Sequence, residues 1–229
     1  MFLKSDVLDR DDIFHGFFDK RGREAAYLEE RKIPLYTLKQ IHSPLCHAVE
    51  GHFDCVLQGD SLVTDLPGMA LGVYTADCTP VLFTGEKRDG SPVIGAAHAG
   101  WRGAYSGILD NTIASLVWHG AKEDSIKAVL GPTIAQESYE VSQEFFDSFI
   151  AQSDANHLFF KSSKNEGHYM FDLPGYVIHR LMNCGVSEIG NVHMDTYTNE
   201  MDYNSYRRAT HTNGEKGLRQ TSVIYIESK

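Results

Sequence analysis

No run of apolar residues in this chain approaches the ~20 that a membrane-spanning helix requires, so no membrane partner is expected. Met1-Phe2-Leu3-Lys4-Ser5-Asp6 leads into acidic residues where a secretory signal would place its apolar region, which points to a cytoplasmic protein. Cysteine is scarce. Cys46, Cys55, Cys78 and Cys184 are too few and too scattered for a disulfide framework. An excess of cations is missing too: the formal net charge of -10 argues against a nucleic-acid duplex as partner, although a small anion remains open at a local basic spot. The 229 residues contain no linker, internal repeat or low-complexity tract, and are expected to form one domain, 1–229, around one sizeable core. Familiar catalytic signatures are also lacking: Gly-x-Gly-x-x-Gly after a strand, a Walker loop, Gly-x-Ser-x-Gly, His-Glu-x-x-His, and the deaminase His-x-Glu with a later Pro-Cys-x-x-Cys.

What the chain does have is concentrated between Gly68 and Gly103. Two short apolar runs, Met69 to Thr75 and Pro92 to Ala97, are bounded by glycine or proline and read as buried strands. The first delivers Asp77-Cys78 and the second delivers His98-Ala99-Gly100-Trp101-Arg102-Gly103. Strand ends are rigid platforms for reactive side chains. Gly95, Gly100 and Gly103 leave room for a ligand or a backbone to approach.

Around this stretch, strands are expected at Ile13 to Phe18, Leu35 to Ile41, Ile126 to Leu130, Glu188 to Met194 and Thr221 to Ile226, and Gly59-Asp60 turns into Ser61-Leu62-Val63-Thr64. Cys46 to Val49 with Phe53 to Leu57 suggests a hairpin. The charged stretch Asp19 to Lys32 suggests a turn with a helical turn or two. A helix over Ala104 to Trp118 presents Ile108, Leu109, Ile113, Leu116 and Val117 on one stripe and stops at Gly120. Its positive end would face the same space as His98 and favour an anionic group. A second helix carries Phe145, Phe146, Phe149 and Ile150; a third starts near Asp172 with Pro174 in its first turn, buries Val177, Ile178, Leu181 and Met182, and stops at Gly185.

The second strand ends near His42, so His42, Cys78 and His98 each stand at the end of a separate strand. Two imidazoles and one thiolate suit zinc, and three protein ligands leave a fourth position open, as in catalytic sites. Without a metal, Cys78 with His98 as base makes a nucleophilic pair. The bland alternative is a buried thiol and a hydrogen-bonded core histidine. Cys46, His47, His52 and Cys55 have spacings unlike a zinc finger or ribbon and read as hairpin residues.

Several strings together resemble the laccase-domain family, also called the polyphenol oxidoreductase or purine nucleoside phosphorylase family, with peptidoglycan editing factors among its members. They are Gln40-Ile41-His42-Ser43, Gly59-Asp60-Ser61-Leu62-Val63-Thr64, Thr75-Ala76-Asp77-Cys78-Thr79-Pro80-Val81, His98 to Gly103, Gly131-Pro132 with Tyr139-Glu140-Val141, and Ser205-Tyr206-Arg207-Arg208. The resemblance runs from about His15 to Ile226. It implies a single α+β domain of mixed sheets packed face to face with helices outside, in α/β/β/α layers. It further implies zinc on His42, Cys78 and His98, with copper, also claimed for the family, less suited because one Cys-His-His set does not supply several copper sites.

The activities implied are phosphorolysis of adenosine, inosine and methylthioadenosine, and adenosine deamination, with a purine nucleoside and phosphate as small-molecule partners. Alternatives are a hydrolase editing a peptidoglycan precursor and a non-catalytic zinc-binding scaffold. Cys78, His98 and Asp77 are the candidate catalytic residues. Arg102, helped by the following helix, is the candidate for phosphate, and Arg207 for positioning the substrate. The commoner fate of such arginines is pairing with carboxylates such as Asp60 and Asp77. Two departures stand out: the segment from Gly16 to Leu35 is shorter than the family's Gly-Gly-Val-Ser loop region, and Asp202-Tyr203-Asn204 stands where an aromatic pair usually precedes Ser-Tyr-Arg-Arg.

Overall fold

The computed structural model describes residues 1–52 and 56–228. Two large sheets carry the architecture. The first has six strands, built on an antiparallel hairpin of β7 (Thr79–Glu86) and β8 (Pro92–Ala99), in register from Thr79 opposite Ala99 to Glu86 opposite Pro92. Outward from β7 lie β9 (Lys127–Leu130), antiparallel, and β13 (Glu188–Asn191), parallel to β9. Outward from β8 lie β5 (Ser61–Thr64), antiparallel, and β4 (Cys46–Ala48), parallel to β5. The second sheet has the order β1 (Phe2–Leu3), β2 (Ile13–Phe18), β14 (Gln220–Ile226), β6 (Ala70–Thr75) and β3 (Leu35–Tyr36).

Alternation along the strands explains why the sheets stack. Leu71, Val73, Ile224, Ile13 and Phe17 of the five-stranded sheet meet Leu62, Leu82, Ile94, Ala96 and Val129 of the six-stranded sheet in one buried cluster. The intervening residues face outward. Val63, Val81, Phe83 and Val93 pack beneath α3 (Ile108–Trp118) and α5 (Leu173–Asn183). Phe14, Phe18, Val223 and Tyr225 are covered by Leu28 of α1 (Glu24–Glu30). The molecule is therefore a single α+β domain in which both large sheets are buried on two faces. None of its helices is long and apolar enough to cross a membrane, among the described residues.

A third, three-stranded antiparallel sheet orders β10 (Glu140–Ser142), β12 (His168–Phe171) and β11 (Phe160–Ser162), and was not expected. It supports α4 (Gln143–Gln152), whose Phe149 is fully buried among Phe145, Phe160, Phe171 and Tyr176. Ser142 and Asp172 cap α4 and α5 by accepting the amides of Phe145 and Gly175.

Several expectations need correction. The helix expected over Ala104 to Trp118 is two helices, because Gly107 adopts a left-handed conformation (φ +98°) between α2 (Trp101–Ser106) and α3. The strand expected to reach Ile41 stops at Tyr36; farther on, the Gln40 side chain takes over the ladder, accepting the Tyr74 N–H at 2.8 Å and donating to the Tyr74 carbonyl at 2.7 Å. Cys46–Ala48 is a strand but runs parallel to β5, not as a hairpin arm, and the proposed partner arm falls partly on 53–55, outside the described residues. The strand expected at Glu188 to Met194 ends at Asn191. On α5, Val177 and Leu181 are buried as expected, whereas Met182 is exposed because it lies off their i, i+4 stripe.

Candidate metal centre

Three segments bring the donors together. β8 continues to Ala99, so His98 sits inside the strand opposite Pro80, not beyond its end, and is almost completely buried. Cys78 closes the short bend between β6 and β7. His42 lies in a turn and not at a strand end, with φ +59°, a left-handed conformation uncommon outside glycine. The ligand atoms of His42, Cys78 and His98 all lie within 4.8 Å of one another, the one such cluster among the described residues. His42 Nε2 is 3.9 Å from Cys78 Sγ, and the two imidazole rings meet edge to face at 4.8 Å between centroids.

The carboxylate of Asp60, fully buried just before β5, is the hub. Its Oδ1 accepts the His98 ring at Nδ1 (2.8 Å) and the His42 N–H (2.9 Å). Its Oδ2 accepts the Ser43 N–H (2.7 Å), the Ser43 hydroxyl (2.8 Å) and, more loosely, the Ile41 N–H (3.3 Å). Burial would raise the carboxyl's pKa, but the His98 and Ser43 hydrogen bonds prevail and hold it down to about 2. Burial likewise opposes ionisation of the Cys78 thiol, yet the charge of His98 and the hydrogen bond to His42 bring its pKa below the usual thiol range.

This cluster fits a metal ion on two grounds. With Nδ1 committed to Asp60, His98 keeps Nε2 for the cluster, the arrangement by which a carboxylate orients a zinc-ligating histidine. The 3.9 Å between thiol and imidazole nitrogen is close to the roughly 3.5 Å between two ligands of a tetrahedral zinc. The backbone also leaves space: a Cβ at Gly100 would lie 2.9 Å from Cys78 Sγ and 3.0 Å from His42 Cδ2.

The cluster opens into a pocket of about 840 Å³. Trp101, Ile134, Tyr139 and Leu173 give it an apolar and aromatic wall, and Arg102, Arg207 and Arg219 a cationic one. Arg102 follows Gly100 at the start of α2, its guanidinium 5.1 Å from the Trp101 ring. Arg207 lies in the first turn of α6 (Tyr206–His211), 5.1 Å from the Tyr139 ring, and donates to the Glu140 carbonyl at 2.7 Å. Neither guanidinium makes an ion pair with a carboxylate among the described residues. Asp60 is taken up by His98 and the His42 turn, and Asp77 meets Arg207 only through its backbone N–H (2.6 Å). The other Asp77 oxygen accepts the Thr196 hydroxyl (2.7 Å), so both oxygens are engaged; Asp77 too has a left-handed backbone, φ +84°. Arg208 turns away and donates to the carbonyls of Thr196, Tyr197 and Tyr203.

Sequence reasoning brought the three donors and both arginines to one place, but it missed Asp60 as the organiser, reading it only as an arginine partner. It assigned no role to Trp101 or Tyr139. The signal available for Asp60 was its place in Gly59-Asp60-Ser61, immediately before a buried strand. Of the second cluster considered, Cys46 turns its thiol toward Ser61, Ser115 and Thr112, and His47 binds the Gln58 carbonyl.

Two packed sheets, with a His-Cys-His cluster able to hold a metal ion at the floor of a cationic and aromatic pocket, define the fold and its candidate site. The chain belongs to the multi-copper polyphenol oxidoreductase laccase family, whose sequence profile matches residues 19–227. It is 40% identical over 190 residues to a purine nucleoside phosphorylase of Rickettsia prowazekii, covering 83% of this chain and 77% of that protein. It is 35% identical over 190 residues to a purine nucleoside phosphorylase of Pseudomonas aeruginosa, covering 83% of this chain and 73% of that one. Among solved structures, Neisseria meningitidis protein NMB0706 superposes with a TM-score of 0.82 at 26% identity over 99% of both chains. YlmD from Geobacillus stearothermophilus shares the fold, with a TM-score of 0.80 at 23% identity over 99% of this chain and 96% of its own.

Proposed function

We propose that this chain is a zinc-dependent purine nucleoside enzyme that carries out phosphorolysis of adenosine, inosine and methylthioadenosine, and deamination of adenosine. The observation that carries the reading is the joining, in one pocket, of the His42, Cys78 and His98 donors with two guanidiniums, Arg102 and Arg207, that have no carboxylate partner among the described residues. The relatives named purine nucleoside phosphorylases support it.

His42, Cys78 and His98 would hold the zinc, which when bound supplies Lewis acidity and a more acidic water. Zinc suits the set better than copper, since the multi-copper chemistry in the family's description needs several sites and one three-donor cluster is present among the described residues. Arg102 and Arg207 bind the phosphate, whose charge the chain's overall acidity would otherwise repel. Trp101 and Tyr139 offer aromatic surface to the purine. In phosphorolysis a phosphate oxygen bonds to C1′, the C1′–N9 bond breaks, and its electron pair leaves with the purine, which takes up a proton. In deamination a water oxygen bonds to C6, the C6–N6 bond breaks, and the amine takes up a proton released by the water and departs as ammonia. Asp77 borders the reacting end of the pocket and, as an acid or base there, would have to give up one of its two present hydrogen bonds.

The test is incubation of the purified, zinc-loaded chain with each nucleoside, with and without phosphate, following free base, pentose 1-phosphate and ammonia. Phosphate-dependent release of base supports the reading; a fully loaded protein that forms neither base nor ammonia overturns it.

A further inference from the structure

The carboxylate of Asp60 touches two of the three donor residues at once. Its Oδ1 lies 2.8 Å from His98 Nδ1 and 2.9 Å from the His42 amide, and its Oδ2 takes the amide and hydroxyl of Ser43. Its own carbonyl accepts the His98 N–H at 2.7 Å, so the backbones of the two segments are also joined here. A fully buried carboxylate with this many donors is fixed in place, because any lost hydrogen bond would leave a desolvated charge short of a partner. Such rigidity is useful where ligand geometry matters.

We infer that Asp60 is a positioning residue for the metal centre: one carboxylate sets the tautomer of His98 and the backbone of the His42 turn together, so that two donors are arranged before an ion arrives. Accepting from Nδ1 keeps the ring proton there and leaves the Nε2 lone pair for coordination. Accepting from three successive amides holds residues 41 to 43 in the tight turn that needs φ +59° at His42. The donors are thereby coupled. Loss of the carboxylate disturbs both, although Asp60 contributes no ligand atom to the cluster.

The inference rests on the reading of His42, Cys78 and His98 as metal ligands, and the test separates the two. Zinc affinity of the full chain is measured by chelator competition for the wild type and Asp60→Asn, and the His98 ring nitrogens are followed by ¹⁵N NMR in the metal-free wild type. The asparagine carries one acceptor oxygen and a donor NH₂, so it can keep either the bonds of the His98 ring and the His42 N–H or those of Ser43 and Ile41, but not both sets. The expected result is a zinc dissociation constant raised about 10–100-fold in the variant. In the metal-free wild type, Nδ1 is expected to keep its proton whether the ring is charged or neutral. Wild-type zinc affinity in a folded Asp60→Asn overturns the inference, as does a neutral wild-type ring protonated at Nε2; the second outcome is readable even where the variant does not fold. A wild type that binds no zinc would instead remove the metal reading beneath it.

Discussion

The carboxylate of Asp77 accepts the backbone N–H of Arg207 at 2.6 Å, tying the bend after β6 to the first turn of α6 across 130 residues of chain. That bond joins the donor floor of the pocket to part of its cationic wall. Asp77→Asn replaces one acceptor oxygen with a donor, so α6 should loosen while His42 and His98, held by Asp60, stay in place. Zinc content should be unchanged and KM for phosphate should rise about 10-fold, the effect of weakening one charge-assisted contact. A fall in kcat with KM unchanged would instead place Asp77 in proton transfer.

Arg102 makes no ion pair among the described residues, so its removal should act on the substrate more than on the fold. Arg102→Ala is expected to raise KM for phosphate by about 10–100-fold, the scale of a hydrogen bond to a charged group, with little change in thermal midpoint. Steady-state kinetics at varied phosphate, beside a melting curve, check both halves.

Gly100 supplies the space the donors occupy. In Gly100→Ala the new methyl would fall 2.9 Å from the Cys78 sulfur and 3.0 Å from His42 Cδ2, and one of them must move. Zinc affinity should drop at least 10-fold, since small displacements of a ligand forfeit the bond geometry a metal requires. Gly51→Ala, where an added Cβ meets nothing within 4 Å among the described residues, serves as the control and should bind as the wild type does.

His15 should make stability depend on pH far from the pocket. It is buried on β2, its Nε2 accepts the Ser5 N–H at 2.9 Å, and burial together with the charge of Lys4 lowers its pKa from 6.5 to about 4. Between those values the unfolded chain binds a proton that the folded chain does not. The contribution of His15 is therefore complete above about pH 6.5 and is lost as pH falls toward 4, by about 3 kcal/mol. Urea unfolding from pH 8 to pH 4.5 should show that decline in the wild type and a shallower one in His15→Gln. Parallel profiles would count against it.

Local signals carried much of the fold. The apolar runs at Ile13 to Phe18, Met69 to Thr75 and Thr221 to Ile226 hold strands, and Asp172 begins a helix that its side chain caps. The eight-residue β7 escaped notice because Pro80 and Gly85 interrupt its pattern. Pro80 is tolerated there because it stands at the end of the β9 pairing, where its carbonyl still accepts the Gly131 N–H at 2.9 Å. The site was legible as residue types: His42, Cys78 and His98 were named from motifs and do converge. The role of Asp60 was not, because a buried carboxylate that accepts from residues 18 and 38 positions away leaves no local periodicity.

The metal content of the purified protein, by elemental analysis, tests the central claim most directly, with His42→Ala, Cys78→Ala and His98→Ala measured alongside. The account predicts about one zinc per chain in the wild type, for a site with three protein ligands, and its loss in all three variants. A wild type free of metal after growth with zinc, or variants that keep a full complement of it, would contradict the account.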